Sequence, residues 1–369
     1  MKTGTLDLPK TNEKPSFNIG LVLKTFSKKI WDGLKPKSSS KVIFTNLFYV
    51  SLSIMMFFMF WYFGAKALYN IEANALIEAA RKEGGDAAAL KTSQCIYSGD
   101  LACKPNALPS PADVWNAGKS LYKDHQVLAA SKAKFYTDNA ALNAQLKAAG
   151  QKTMIYTGRS SFIDKALKSL FTVFAGVLLS MFIAIPIGIL VGLNANIKSM
   201  FNWIIQIFKP VSPVVWFLLV YMVVKTVSKS INMDKSFMIS LISVSLCSMW
   251  ATLVNTSVGV ASVDKDYINV ANVLQLGFFK RIFKIIIPSA MPMIFTGLRV
   301  TVSVAWMVLI AIELLAQSPG LGSFVWEEFQ NGANDSNSKI IFAMFVIGII
   351  GFMLDKIMLA IQHSLSYTK

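Results

Sequence analysis

Apolar residues along this chain gather into long runs separated by polar stretches, with little of the one-faced pattern of soluble elements. The first run, residues 42–63, is long enough to cross about 30 Å of hydrocarbon. It is too long for the apolar core of a cleaved signal peptide and is expected to stay as an anchor, with Trp61 and Tyr62 at its outer end. Five more runs follow, at about 167–193, 203–224, 236–258, 291–315 and 340–361. The pattern predicts an all-α polytopic membrane protein of six transmembrane helices, the last five forming a core over residues 164–362.

The polar stretches divide the rest. Residues 1–41 are rich in lysine, with Pro15 and Pro36 as breakers, and read as a basic tail lying against the anionic lipid bilayer. Residues 64–163 turn to Ala, Lys, Asn and Asp, with no run long enough to span, and predict a large soluble insert. Within it residues 139–150 read as helix and residues 98–111 as loop. Cys95 and Cys103 both fall in the insert. A small disulfide-closed loop and two free thiols are both open there, while Cys247 lies in an apolar run and reads as packing.

Six spans put both termini on one side. The basic tail and Lys280, Arg281 and Lys284 in the long connection after the fourth span assign that side to the cytoplasm. The connection before the last span carries Glu327, Glu328 and Asp335 instead. Lys225, Lys229 and Lys235 argue the other way for one short loop, and the larger balance outweighs them. The insert is then extracytoplasmic, and residues 363–369 form a short cytoplasmic C-terminus.

Composition agrees. Of 369 residues 54% are hydrophobic and only 15% charged, with a mean hydropathy of +0.51. A soluble chain of this size could not hide that much apolar surface. The 36 Lys and Arg against 20 Asp and Glu give a formal charge of +16, which in a soluble protein would suggest nucleic acid. In an apolar chain it reads as topology. No Cys/His cluster offers a metal cage, and the two histidines, His125 and His363, lie far apart. Gly118-Lys119-Ser120 lacks the leading glycine of a nucleotide loop, since Asp113 stands there. No nucleophile, base and orienting group share a cytoplasmic loop, so the chain itself is not expected to be catalytic.

Residues 269–288 are the most informative segment. They fit two short amphipathic helices joined at Gly277, the second carrying Lys280, Arg281 and Lys284 on a polar face and stopping at Pro288. Such an element could be the handle by which a partner moves the spans. Within the spans, Arg299 lies about 12 Å along the fifth, where a charge must face protein or a water-filled path. Its planar guanidinium suits a small oxyanion or backbone carbonyls. Glu313, fourteen residues on, is about 21 Å further out and is expected to hold the outer loop or a gate. Pro210 and Pro213 flank Ser212 in the third span, where they predict a break that either lines a substrate path or only shapes packing.

Residues 269–288 resemble the coupling loop of importer-type ABC permeases, with Ala271, Asn272 and Val273 at its Glu-Ala-Ala positions, Gly277 as its glycine and Pro288 as its proline. The missing glutamate and a Gly-to-Pro spacing two residues short are shared with the nitrate branch of that family. Further likenesses follow in family order: Leu108-Pro109-Ser110-Pro111 with Val114 and Trp115, residues 185–192, Pro210-Val211-Ser212-Pro213 with Trp216, then residues 256–260, 295–299, 311–314 and 320–326. Together they cover most of residues 108–361 and leave out the tail and most of 64–107.

The resemblance implies a permease core that imports a small anion, nitrate first, with taurine, another sulfonate, cyanate or bicarbonate as alternatives. It implies a second permease copy, separate ATPase subunits that bind ATP and Mg, and an extracytoplasmic substrate-binding protein. Residues 271–273, Gly277, Phe278, Phe279, Lys280, Arg281 and Pro288 would meet the ATPase. Arg299, Ser212, Pro213, Trp216, Trp306 and Glu313 would lie along the pathway. An ion-coupled carrier would be expected to show several intramembrane carboxylates or an inverted repeat, and only Glu313 and Asp355 stand in the spans. A scaffold whose insert binds an outer partner would need an inert core.

Overall fold

The computed structural model describes residues 40–100, 103–227, 234–333 and 335–365, and among these the elements are helices and turns with no strand. Residues 1–39 of the basic tail, Lys229 and the last four residues lie outside the described residues.

Helix α1, Ser40–Ser98, has 59 residues and would be about 88 Å long if straight, far more than the roughly 20 residues a bilayer needs. The expected boundary at residue 63 is therefore not a helix end. Beyond it the chain is rich in Ala, Glu, Leu and Lys without proline, so the helix continues out of the apolar run. The interruption comes at Gly85, whose φ of 72° and ψ of −167° belong to a region essentially reserved for glycine. The end of α1 is tied to the following loop by a Cys95–Cys103 disulfide with a Cα–Cα distance of 5.8 Å.

Helix α2, Pro111–Asp138, starts on a capping box in which Ser110 and Asp113 satisfy each other's backbone N–H groups, with Pro111 pre-set for the first turn. It turns Val114, Ala117 and Leu121 inward and leaves Trp115 and Tyr122 exposed. The Trp61 indole of α1 donates to Pro109 O at 3.1 Å and stacks on Phe345 at 5.3 Å, fixing α1 beside the start of α2. The expected helix near residues 139–150 is α3, Ala140–Ala148.

The core is a stack of long helices. Helix α4, Phe162–Leu193, and the run from α9, Phe278–Arg281, through a π turn, Ile282–Ile286, into α10, Ile287–Ala316, both pack on α7, Lys235–Ala261. Small residues allow the close approach: a Cβ on Gly188 would sit 2.8 Å from Leu253 O, and one on Gly192 2.7 Å from Ser257 O. Thr252 and Thr301 share a hydroxyl hydrogen bond of 2.7 Å between α7 and α10. Helix α12, Ser336–Leu365, covers α10, and the short α11, Leu321–Asn331, joins them. Cys247 is a free, half-buried thiol packed against this core.

Among the described residues five helices are long and apolar enough to cross a membrane. A sixth span exists only if α5, Ala195–Phe208, and α6, Pro213–Val227, count as one, although they meet at 101°. The break expected within the third span, over 203–224, is present at Pro210–Pro213, and it turns the chain sharply. Pro210 and Pro213 each lack an N–H, and together they end one helix and open the next.

Candidate functional site

The candidate coupling loop begins with α8, Lys265–Val273, capped by the Asp264 carboxylate. Ala271 is fully buried and anchors the helix, and Leu276 N–H returns to its carbonyl at 3.0 Å. Gln275 turns the chain with a φ of 47°, and Gly277 opens α9. Arg281 folds back and donates from Nη2 to Asn272 Oδ1 at 2.6 Å. It thus locks the two helices together instead of lying on a free cationic face with Lys280. Nor does the second helix stop at Pro288. The π turn carries it into α10, and the proline sits in the first turn of α10, where a missing N–H costs least.

What the loop presents is apolar. Val273 is 82% exposed and Phe279 72%, with Val270, Leu274, Phe278 and Phe283 exposed beside them. The cationic residues drew attention in the sequence, while Val270, Leu274 and Phe283 did not. Their spacing on short helices, 270, 273, 274 and 279, 283, was the available signal. A cluster of this kind at the end of a membrane helix marks a contact surface.

The break between α5 and α6 brings Ser212, Pro213 and Trp216 together. Ser212 is exposed, its carbonyl takes the N–H groups of Val215 and Trp216, and its hydroxyl faces Val214 N at 3.4 Å. Trp216 is half-buried 5.6 Å from the Phe208 ring, with its indole N–H unpartnered among the described residues.

The other pathway candidates lie apart from this break and from one another along α10. Arg299 is not an open anion ligand, since its Nε and Nη2 donate to the two oxygens of Asp355 at 2.6 and 2.9 Å, joining α10 to α12. Trp306 is buried and donates to Ile347 O at 3.0 Å, where it packs the same two helices. Glu313, 1% exposed, receives Ser169 Oγ of α4 at 2.7 Å and the Gly322 N–H at 3.0 Å. It therefore grips the turn between α10 and α11. A Cβ on Gly320 would meet this carboxylate, so a larger residue there would displace the Glu313 side chain from its partners.

The family model for the inner membrane component of binding-protein-dependent transport systems matches residues 184–366. The nitrate import permease protein NrtB of Synechococcus elongatus is 33% identical over 191 residues, 52% of this chain and 65% of that protein. The chain thus spans a little less than two thirds of that relative. The bicarbonate transport system permease protein CmpB of the same organism is 32% identical over 54% of this chain and 68% of its own length. A putative ABC transporter permease of Methanocaldococcus jannaschii is 33% identical over 54% of this chain and 70% of its own.

Proposed function

Since the chain belongs to the family of binding-protein-dependent transport system inner membrane components, we propose that it is the permease subunit of an ATP-driven importer of a small anion, nitrate first. The observation that carries this reading is the apolar surface of the α8–α9 loop, placed at the foot of a helix that runs unbroken through the core. A partner pressing on Val273, Leu274 and Phe279 would move α10 directly. In this reading separate ATPase subunits bind ATP and Mg and seat on that loop. A second copy of the chain completes the pathway, and an extracytoplasmic binding protein delivers the anion. Both termini lie in the cytoplasm. ATP drives the cycle to the extent that it binds one state of the assembly better than the other.

Ser212, Pro213 and Trp216 lie at the break of a membrane helix, the arrangement that commonly lines substrate paths, and we assign them to the pathway. Arg299 acts on the pathway from a distance, by tying α10 to α12 through its Asp355 pair. Glu313 and Trp306 hold the frame around it. Bicarbonate is the second reading, supported by similarity as close as that to the nitrate permease. The test is uptake of labelled nitrate by the complex reconstituted with its ATPase and binding protein, with bicarbonate and taurine as competitors. ATP-dependent nitrate uptake that neither competitor reduces supports nitrate. Uptake driven by an ion gradient without ATP would overturn the importer reading.

A further inference from the structure

At the end of the core that carries the insert, α2, the loop before α4 and the first turns of α4 enclose an open crevice of about 570 Å³. Its polar rim is basic, formed by Lys132 of α2, Arg159 of the loop, and Lys165 and Lys168 of α4. Two of these charges are already answered, Arg159 by Asp124 at 2.5 Å and Lys165 by Glu327 at 2.5 Å. The one carboxylate on the rim, Asp164, is held by the Ser161 hydroxyl at 2.9 Å in the cap of α4. Lys132 and Lys168 have no carboxylate within ion-pair distance among the described residues, and Lys168 instead lies 5.4 Å from the centre of the Phe237 ring. The crevice therefore carries two ammonium groups without an ion-pair partner and one capped carboxylate, a net positive rim. Its other wall is apolar and continuous with the exposed face of a membrane helix, where Leu167, Phe171 and Phe174 are each about 60% exposed at helical spacing. Trp115 and Tyr122, exposed on the same α2, are the residue types that settle at a membrane interface.

Positive charge above an apolar strip at interface depth fits an oxyanion carried on an apolar body. We propose that the crevice is a binding site for an anionic phospholipid of that leaflet, its phosphate between Lys132 and Lys168 and its acyl chains along Leu167, Phe171 and Phe174. A zwitterionic lipid would bring its own cation into a site that already has two. A small inorganic anion would leave the apolar wall and most of the volume unused. This site is independent of the transport reading.

Native mass spectrometry of the full chain in detergent, with dioctanoyl phosphatidylglycerol and dioctanoyl phosphatidylcholine as probes, tests it. The wild type should retain the phosphatidylglycerol about tenfold better than the phosphatidylcholine. The Lys132→Ala/Lys168→Ala variant should lose that preference, while Lys132→Arg/Lys168→Arg, and Lys134→Ala/Lys147→Ala outside the crevice, should keep it. Equal retention of the two lipids by the wild type, or a preference unchanged in the Lys132→Ala/Lys168→Ala variant, overturns the proposal. So does binding of butanesulfonate or inorganic phosphate at these lysines that the lipid fails to displace, which would make the crevice a solute site.

Discussion

Glu313, buried, and the partly exposed Arg299–Asp355 pair are charges that join these helices, and each makes a sharp prediction. The Glu313 carboxylate holds the Ser169 hydroxyl and the Gly322 N–H in a place closed to water. Glu313→Ala leaves both donors unanswered and should destabilise the chain by about 2–4 kcal/mol, read as a lowered unfolding temperature in detergent. Glu313→Gln, which still accepts, should lose clearly less; an equal loss in the two variants would reject the clamp. For the pair, Arg299→Ala strands Asp355 inside the membrane. The double variant Arg299→Ala/Asp355→Ala should then unfold later than either single one, with a coupling on the order of 1 kcal/mol. If Arg299 also guides the anion, uptake stays low in the double variant even as stability returns. Both groups were visible in the sequence as intramembrane charges, but their partners were not. Asp355 is 56 positions from Arg299, and the rotation of two helices that brings them together is set by packing. Glu313 was legible as a holder of the outer loop, although Ser169, its partner on α4, was not.

At the scale of elements the long apolar runs were legible because bilayer thickness sets their length, and four of the five later runs appear as helices near their expected positions. In the run at 203–224 the two prolines made the break legible but not its angle, because hydropathy reports burial in lipid and not direction. Two prolines within four residues turn the chain by 101° without interrupting the apolar composition. The α8–α9 loop was legible as an element, whereas its apolar surface was hidden by the more conspicuous lysines. Two glycines separate docking from folding. Gly277 has a φ of −60° and open space where a Cβ would stand, so Gly277→Arg should leave the unfolding temperature unchanged. If the loop is the ATPase seat, the same variant should abolish ATP-dependent uptake, and normal uptake would remove the loop from that role. Gly188 is the opposite case, pressed against Leu253 O and Thr256. Gly188→Val should cost about 1–3 kcal/mol and lower the yield of folded protein whatever the partner does.

For the whole molecule, the central question is how a hundred-residue insert is held over a membrane core, and fastenings lie at the middle and at the start of α2. At its middle, Arg159 pairs with Asp124, and His125 Nδ1 lies 2.7 Å from the Ser161 hydroxyl that caps α4. At the N-terminal side, Asp113 ties the cap of α2 to Lys104, one residue beyond the disulfide. Burial raises the Asp113 pKa, but the hydrogen bonds from Lys104 and Ser110 outweigh it and hold the carboxyl below the ordinary 3.8. A depressed folded-state pKa gives stability that is present above the ordinary value and lost as pH falls through the lower one. The start of α2 should therefore loosen only below about pH 4, as hydrogen exchange across residues 104–121 would show. The disulfide makes the decisive whole-chain measurement possible, because Cys247 lies inside a membrane helix and should stay silent. A membrane-impermeant maleimide added to intact cells should label nothing while Cys95 and Cys103 are bonded, and both after mild reduction. Reduction should also lower stability of the insert by about 2–3 kcal/mol, the usual effect of opening a short loop. Labelling only after the cells are broken would place the insert in the cytoplasm and invert the whole topology. The binding protein would then have no surface to meet on this side of the molecule.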